Sequence, residues 1–204
     1  SEEMIEAATS AIAGAHAIVM QCEIPLPVVI HAARIARSLN KLVILNPAPA
    51  CRLPDELFSL ADVLTPNETE ARAVLGLSPE EHPDDESVLA AIADAGAQVV
   101  VLTLGVRGCL AGVRTRGRTE VLSVPAFKVQ AVDATAAGDA FTAALACALA
   151  ERRAHMAGEV GAAELDDALR FATAAAAISV TRLGAQPSLP RRAEVDELLR
   201  TVGR

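Results

Sequence analysis

The chain has 204 residues, just over half of them apolar, and a formal net charge of −8. That length suffices for one domain with a substantial core and would be a squeeze for two. The acidic balance and scattered Arg residues argue against nucleic acid, which needs a basic stripe, and no apolar run is long enough to span a membrane. A nucleotide carrying Mg²⁺ stays compatible, because a local nest of backbone N–H groups can outweigh the global sign. With no Trp or Tyr, the core must come from Leu, Val, Ile and Ala, and Phe58, Phe127, Phe141 and Phe171 are its large rings. Cys22, Cys51, Cys109 and Cys147 lie far apart, without a C-x-x-C pair or a His at ligand spacing, and read as buried thiols of a reducing cytoplasm rather than zinc ligands. The acidic start Ser1-Glu2-Glu3 is not a signal peptide and lacks an initiator Met, so the expectation is a cytoplasmic chain, open to being a fragment.

In chain order, residues 4–13 space apolar side chains as one helix face, and 17–20 read as a short buried strand. The loop Gln21-Cys22-Glu23-Ile24-Pro25 leaves that strand at its carboxyl end, the edge where open α/β sheets bind ligands. An amphipathic helix over 27–39 and a buried strand over 41–45 follow, the latter stopped by Asn46-Pro47-Ala48-Pro49. A short helix over 53–60 leads to a strand at 62–64 and then to Thr65-Pro66-Asn67-Glu68-Thr69-Glu70, which passes into a helix ending at Leu75. Strand, helix, strand in alternation predicts a parallel sheet with right-handed crossovers. Asn67 as N-cap with Glu70 at the third helical position makes a capping box. Residues 78–87, with His82, are a polar surface connection that carries no chemistry. A helix over 88–95 precedes 98–104, the most clearly buried strand, and Gly105 and Gly108 turn the chain directly after it. Residues 109–114 and 119–124 alternate around Thr115-Arg116-Gly117-Arg118 and predict a hairpin with solvated Arg residues.

The rest of the chain is organised around Val132-Asp133-Ala134-Thr135-Ala136-Ala137-Gly138-Asp139-Ala140-Phe141, a turn of small residues that opens into an apolar helix over 142–150. Small residues let N–H groups approach an anion, and a helix N-terminus adds its positive dipole end. Asp139, in the first helical turn, is either a helix cap or a general base beside a transferred phosphate. Residues 151–161 read as a charged, exposed connection, and 162–180 as an Ala-rich helix on which Thr173 reads as a packed side chain. A turn over 181–188 holds Gly184 and Pro187. An amphipathic helix over 191–202 closes the chain.

The 133–139 segment resembles the D-T-x-G-A-G-D signature of the PfkB carbohydrate kinase family, and its Ala136-Ala137-Gly138-Asp139 is similar to the ribokinase branch. Three further stretches, 65–70, 103–108 and 174–188, stand in the order that family requires. The resemblance implies an α/β, three-layer α/β/α ribokinase-like fold with a mostly parallel central sheet, present as a single domain over 1–204. It implies ATP-dependent phosphorylation of ribose to ribose 5-phosphate, with Asp139 as base and the N–H groups of Ala136, Ala137 and Gly138 as anion hole. Asn67, Thr103, Leu104, Gly105, Val106, Arg107, Gly108, Gly138 and Thr173 would contact the nucleotide, and Glu23, in Met-Gln-x-Glu, would accept a sugar hydroxyl. Glu70 would organise Mg²⁺ through its waters. Asp133, Thr135, Ser179, Arg182, Gly184 and Ser188 would hold an activating K⁺, mostly through backbone oxygens. The resemblance covers the C-terminal two-thirds or so of a ribokinase. The early Asn-x-Asp, the Gly-Gly loop and the lid strands have no counterpart, so the fold is expected N-terminally truncated, with an uncovered sheet edge that invites a homodimer. The alternatives are a nucleotide-binding fragment without kinase activity and a PfkB kinase for another sugar or nucleoside. A Rossmann dehydrogenase is disfavoured, since no strand leads into G-x-G-x-x-G.

Overall fold

In the computed structural model, which describes residues 1–78, 80, 81, 83–115, 118–155 and 162–202, helix and strand alternate as the apolar pattern dictates. The contacts divide the chain into two compact units, Ser1–Thr103 with Leu110–Val121, and Leu104–Cys109 with Leu122–Arg204.

The first unit begins with α1 (Glu2–Ala7) and α2 (Thr9–Gly14). The sequence predicts one helix there. Instead the Ala8 N–H bonds both the Met4 and Ile5 carbonyls, a tight turn ahead of Thr9 and Ser10, whose side chains favour caps over helix interiors. Next come β1 (Ala17–Gln21), α3 (Leu26–Ser38), β2 (Leu42–Asn46), α4 (Asp55–Leu60) and β3 (Val63–Leu64), followed by α5 (Glu68–Leu75), α6 (Asp85–Asp94) and β4 (Val99–Thr103). The strands β1, β2, β3 and β4 pair in that order, each parallel to the next, with Gln21 opposite Asn46 and Leu45 opposite Leu64. The sheet continues through β5 (Cys109–Thr115) to β6 (Arg118–Val124). The Arg114 N–H, late in β5, donates to the Gln98 carbonyl just ahead of β4, so β5 returns antiparallel. The hairpin tip at 116–117 and His82 lie outside the described residues.

All five residues of β2 are buried, as are Val99 to Leu102 of β4, the near-continuous apolar runs of parallel strands covered on both faces. Val29, Ala32, Ala33 and Ala36 are the buried stripe of α3, and Val88, Leu89, Ile92 and Ala93 that of α6. Each large side chain among them contributes roughly 1.5–3 kcal/mol by leaving water.

The second unit contains the 3₁₀ turn Gly105–Arg107 and the helices α7 (Ala137–His155), α8 (Ala162–Ser179) and α9 (Arg192–Val202). Helix α8 packs on both α7 and α9, with Ala174, Ala175 and Val195 buried among Phe127, Phe171, Ile178, Leu198 and Leu199. Its alanines allow that close approach. The connection expected over 151–161 differs from the structure: α7 continues through His155. Glu151, Arg152 and Arg153 are good helix formers and no Gly interrupts them before Gly158; residues 156–161 lie outside the described set. No helix among the described residues is long and apolar enough to cross a membrane.

Candidate active site

In the first unit Glu23, Asn67, Glu70 and Thr103 lie at or just beyond the carboxyl ends of the parallel strands. Asn67 caps α5: its Oδ1 accepts the N–H of Thr69 at 3.0 Å and of Glu70 at 2.9 Å. Glu70 answers, accepting the Asn67 N–H at one oxygen and the Asn67 amide Nδ2 at the other, each at 2.8 Å. The expected capping box is therefore present, and it holds a half-buried carboxylate in one orientation. The Thr103 N–H donates to the Pro66 carbonyl at 3.0 Å, which ties the end of β4 to the entry of this box. Glu23 is exposed on the loop after β1, next to Cys22, whose N–H donates to the Ala48 carbonyl at 2.8 Å.

One residue at this edge was not singled out by sequence. Asn46 ends β2 and is 7% exposed, and its Oδ1 finds no hydrogen-bond partner. A buried acceptor is rarely left open, so this one is available to a ligand or its water. The available signal was a polar side chain closing an otherwise apolar five-residue strand.

In the second unit, residues 132–139 are tied down from a distance. Asp133 Oδ1 accepts the Thr135 N–H at 2.9 Å and its hydroxyl at 2.6 Å, while Oδ2 accepts the Gly184 N–H at 2.8 Å. The Val132 and Asp133 N–H groups both donate to the Val180 carbonyl. These donors, led by the Thr135 hydroxyl, hold the Asp133 carboxyl below the usual carboxylate range. Ser179 and Ser188 are fully buried and share a hydroxyl hydrogen bond of 2.9 Å. The Arg182 N–H donates to the Ser179 carbonyl, and its guanidinium pairs with Glu194, whose carboxyl it holds down. All six residues expected around K⁺ thus fall in one unit.

The loop then enters α7 through strain. Ala136 has φ of +61°, a left-handed conformation that side chains other than Gly resist. The Ala137 N–H donates back to the Ala134 carbonyl at 3.2 Å and the Ala140 N–H to the Ala136 carbonyl at 2.8 Å. Of the three donors expected for an anion hole, Ala136 and Gly138 therefore stay open among the described residues, and Ala137 is engaged. A Cβ added to Gly138 would meet nothing within 4 Å. Packing therefore does not require glycine there, although in a helix it costs about 1 kcal/mol relative to Ala. Asp139 is exposed in the first turn of α7, beside the open N–H of Gly138.

The turn Leu104 to Gly108 closes on itself through the Leu104 N–H to the Gly108 carbonyl at 2.8 Å and leaves Val106 96% exposed. Gly108 is obligatory: at φ of +93° a Cβ would lie 2.0 Å from the Val124 carbonyl oxygen. Thr173 is buried, and its hydroxyl contacts the Cys109 thiol at 3.7 Å. Burial pushes that thiol up to about 11, the Thr173 hydrogen bond acting against the shift. The expectation of four buried thiols is corrected: Cys109 is buried, Cys22 and Cys51 are half-buried and Cys147, on α7, is exposed.

The family model described as pfkB family carbohydrate kinase matches residues 2–192. The chain belongs to the pfkB family of carbohydrate kinases. It is 40% identical over 199 residues to a ribokinase of Haemophilus influenzae, covering 98% of this chain and 60% of that protein. A deoxyribokinase of Salmonella typhimurium is 32% identical, with 98% and 61% covered. Among solved structures, Arabidopsis thaliana ribokinase complexed with ribose and ATP superposes with a TM-score of 0.80 at 31% identity, covering 98% of this chain and 59% of that one. The expected three-layer α/β ribokinase-like fold with a mostly parallel sheet is thus the pfkB fold found. The chain spans about 60% of the length of the pfkB relatives it matches.

Proposed function

We propose that this chain is the phosphate-handling part of an ATP-dependent kinase that phosphorylates a primary hydroxyl of ribose. The observation that carries the reading is the 133–139 loop: a strained Ala136, open N–H groups at the head of a 19-residue helix, empty space over Gly138, and an exposed carboxylate one residue on.

Phosphoryl transfer through a loose transition state asks a protein for positioning and for donors aimed where charge develops. The N–H groups of Ala136 and Gly138, with the positive end of the α7 dipole, would hold the transferring group. Asp139 would accept the proton of the attacking hydroxyl. A carboxylate is a weak base toward an alcohol, but in a loose transition state that proton moves late, so orientation counts for more than basicity. Glu23 would accept another sugar hydroxyl, and the Leu104–Gly108 turn, with Val106 outward, would line the nucleotide together with Thr103, whereas Thr173, buried against Cys109, fits a packed side chain. Bound Mg²⁺ supplies neutralisation of the phosphate charge. Glu70 suits it as a fixed carboxylate acting through waters, with Asn67 directed at the phosphates. K⁺ would be held by carbonyls of the 179–188 turn and the Asp133 side, where it would stiffen the loop. The reading also assigns the protein to the cytoplasm, whose reducing conditions suit its four free cysteines.

Ribose is favoured by the ribokinase relatives, and the deoxyribokinase relative makes 2-deoxyribose the competing substrate. The test is ADP release with ATP, Mg²⁺ and K⁺, with ribose, with 2-deoxyribose and without sugar, run beside ATP binding by calorimetry. Ribose-stimulated release is expected. ATP binding without sugar-dependent release would replace the reading with a nucleotide-binding fragment, and preference for 2-deoxyribose would change the substrate alone.

A further inference from the structure

Three helices of the second unit leave a cavity between them that the reaction above does not use, and each helix lends it one face. Ala148, Glu151 and Arg152 are spaced i, i+3, i+4 on α7, as Asp167, Arg170 and Phe171 are on α8, and Arg192 and Leu199 stand two turns apart on α9. The space is about 420 Å³, within the range of small-molecule sites. Glu151 lies well down α7 from Asp139, roughly 18 Å at the rise of a helix, so the cavity is separate from the 136–139 loop.

The charges at its rim mostly neutralise one another. Arg152 pairs with Asp167 at 2.9 Å and joins α7 to α8, while Arg192 pairs with Glu151, joining α9 to α7, and reaches Asp196 at 3.6 Å. The Arg192 guanidinium also lies 4.7 Å from the centre of the Phe171 ring, a cation–π contact that fixes both planes. Arg170 is different: it is exposed, and no ion pair or hydrogen bond engages its guanidinium among the described residues. Three guanidiniums against two carboxylates leave this lining one positive charge, in a chain whose net charge is −8.

The geometry points to this cavity as a binding site for a small, flat monoanion, a planar ring that bears one carboxylate. The carboxylate takes the Arg170 guanidinium in the two-pronged geometry that arginine favours. The ring lies on the apolar floor of Phe171, Leu199, Ala148 and Ala168. A second negative charge is not matched, because Asp167 and Glu151 already hold the other two guanidiniums. A cation would meet Arg170 and no free carboxylate, and a neutral ring would gain the floor alone. The site is independent of the proposed reaction.

The test titrates benzoate into the full chain at constant ionic strength and follows backbone amide chemical shifts, with benzamide as the uncharged isostere. A Kd on the order of a millimolar is expected for so small a probe, with the largest shifts at 148–152, 167–171 and 199. Arg170→Gln leaves both inter-helix ion pairs in place and should weaken benzoate roughly three- to tenfold, to the level of benzamide. Arg191→Gln, which removes an equal charge outside the cavity, should leave benzoate binding unchanged. Equal affinities for benzoate and benzamide, or benzoate binding untouched by Arg170→Gln, would overturn the site. So would shifts confined to other residues, the 136–139 loop included, or no saturation up to about 50 mM.

Discussion

The capping box of α5 and the Asp133 loop use the same chemistry, a carboxylate that accepts backbone N–H groups, over very different distances along the chain. Asn67 and Glu70 are three residues apart and satisfy each other, whereas Asp133 reaches Gly184 across 51 residues. The first needs only a helix start. The second exists only if α7, α8 and the turn after α8 have already packed. A local box thus serves as a rigid fitting that folds with its helix, and the long-range staple turns the packing of a whole unit into the shape of one loop.

If that loop is the catalytic one, the largest effect belongs to Asp139. Asp139→Asn is expected to lower sugar-dependent ADP release by roughly 10²–10⁴, the range for losing a general base, with ATP affinity nearly unchanged by calorimetry. Near-normal turnover would return Asp139 to the rank of a helix cap. Gly138→Ala sharpens the point, because stability and activity should move in opposite directions. The methyl meets no protein atom and replaces a poor helix former, so chemical denaturation should show a gain of up to about 1 kcal/mol. Turnover should fall about tenfold or more, toward the 10²–10³ of a lost anion-hole donor, since the space it fills is where the phosphoryl group would pass. A variant that gains stability and keeps full activity would remove the phosphate from Gly138.

Asp133→Ala breaks the distant half of the comparison. Activation by K⁺ over Na⁺ should disappear before any change in ATP binding, as initial rates in the two salts would show; a parent enzyme equally fast in both would remove the cation from the site. The pH sign follows from the direction of the Asp133 shift. Its carboxyl is held below the ordinary range in the folded chain, so the staple is complete above the unfolded value of about 3.9. It is lost as pH falls through the lower folded value. Thermal melts should therefore show no pH dependence from this group between about pH 5 and 8, and Asp133→Ala should flatten only the acid limb.

What was legible in the sequence divides along the same line. Strand and helix periods fixed β2, β4 and α3 to within a residue or two, and Asn67 with Glu70 could be read as a box because all its partners lie within one turn. The staple could not be read that way. Nothing near Asp133 names Gly184, and only the resemblance to a family put both in one set. Asn46 was missed for a related reason: it looked like the first residue of a Pro-rich loop, and its open Oδ1 becomes visible only once the strands beside it bury it. The extension of α7 through His155 was missed because charged side chains suggested a connection, where their helix propensity prevailed.

The smallest effect tests whether the local box is more than a fitting. Asn67→Ala removes the cap and should cost about 1 kcal/mol in denaturant unfolding. Glu70→Gln keeps it, because a Gln at the third helical position can still accept the Asn67 N–H, and stability should stay within about 0.5 kcal/mol of the parent. What Gln lacks is the negative charge and the second acceptor, which takes the Asn67 Nδ2 in the parent. If Glu70 orders Mg²⁺ through its waters, the Mg²⁺ concentration for half-maximal rate should rise severalfold in Glu70→Gln while the rate at saturating Mg²⁺ recovers most of its value. Because the backbone N–H groups of the cap stay satisfied in that variant, the shift would report the carboxylate rather than the helix start, and an unchanged Mg²⁺ dependence would leave the box as a helix start and nothing further.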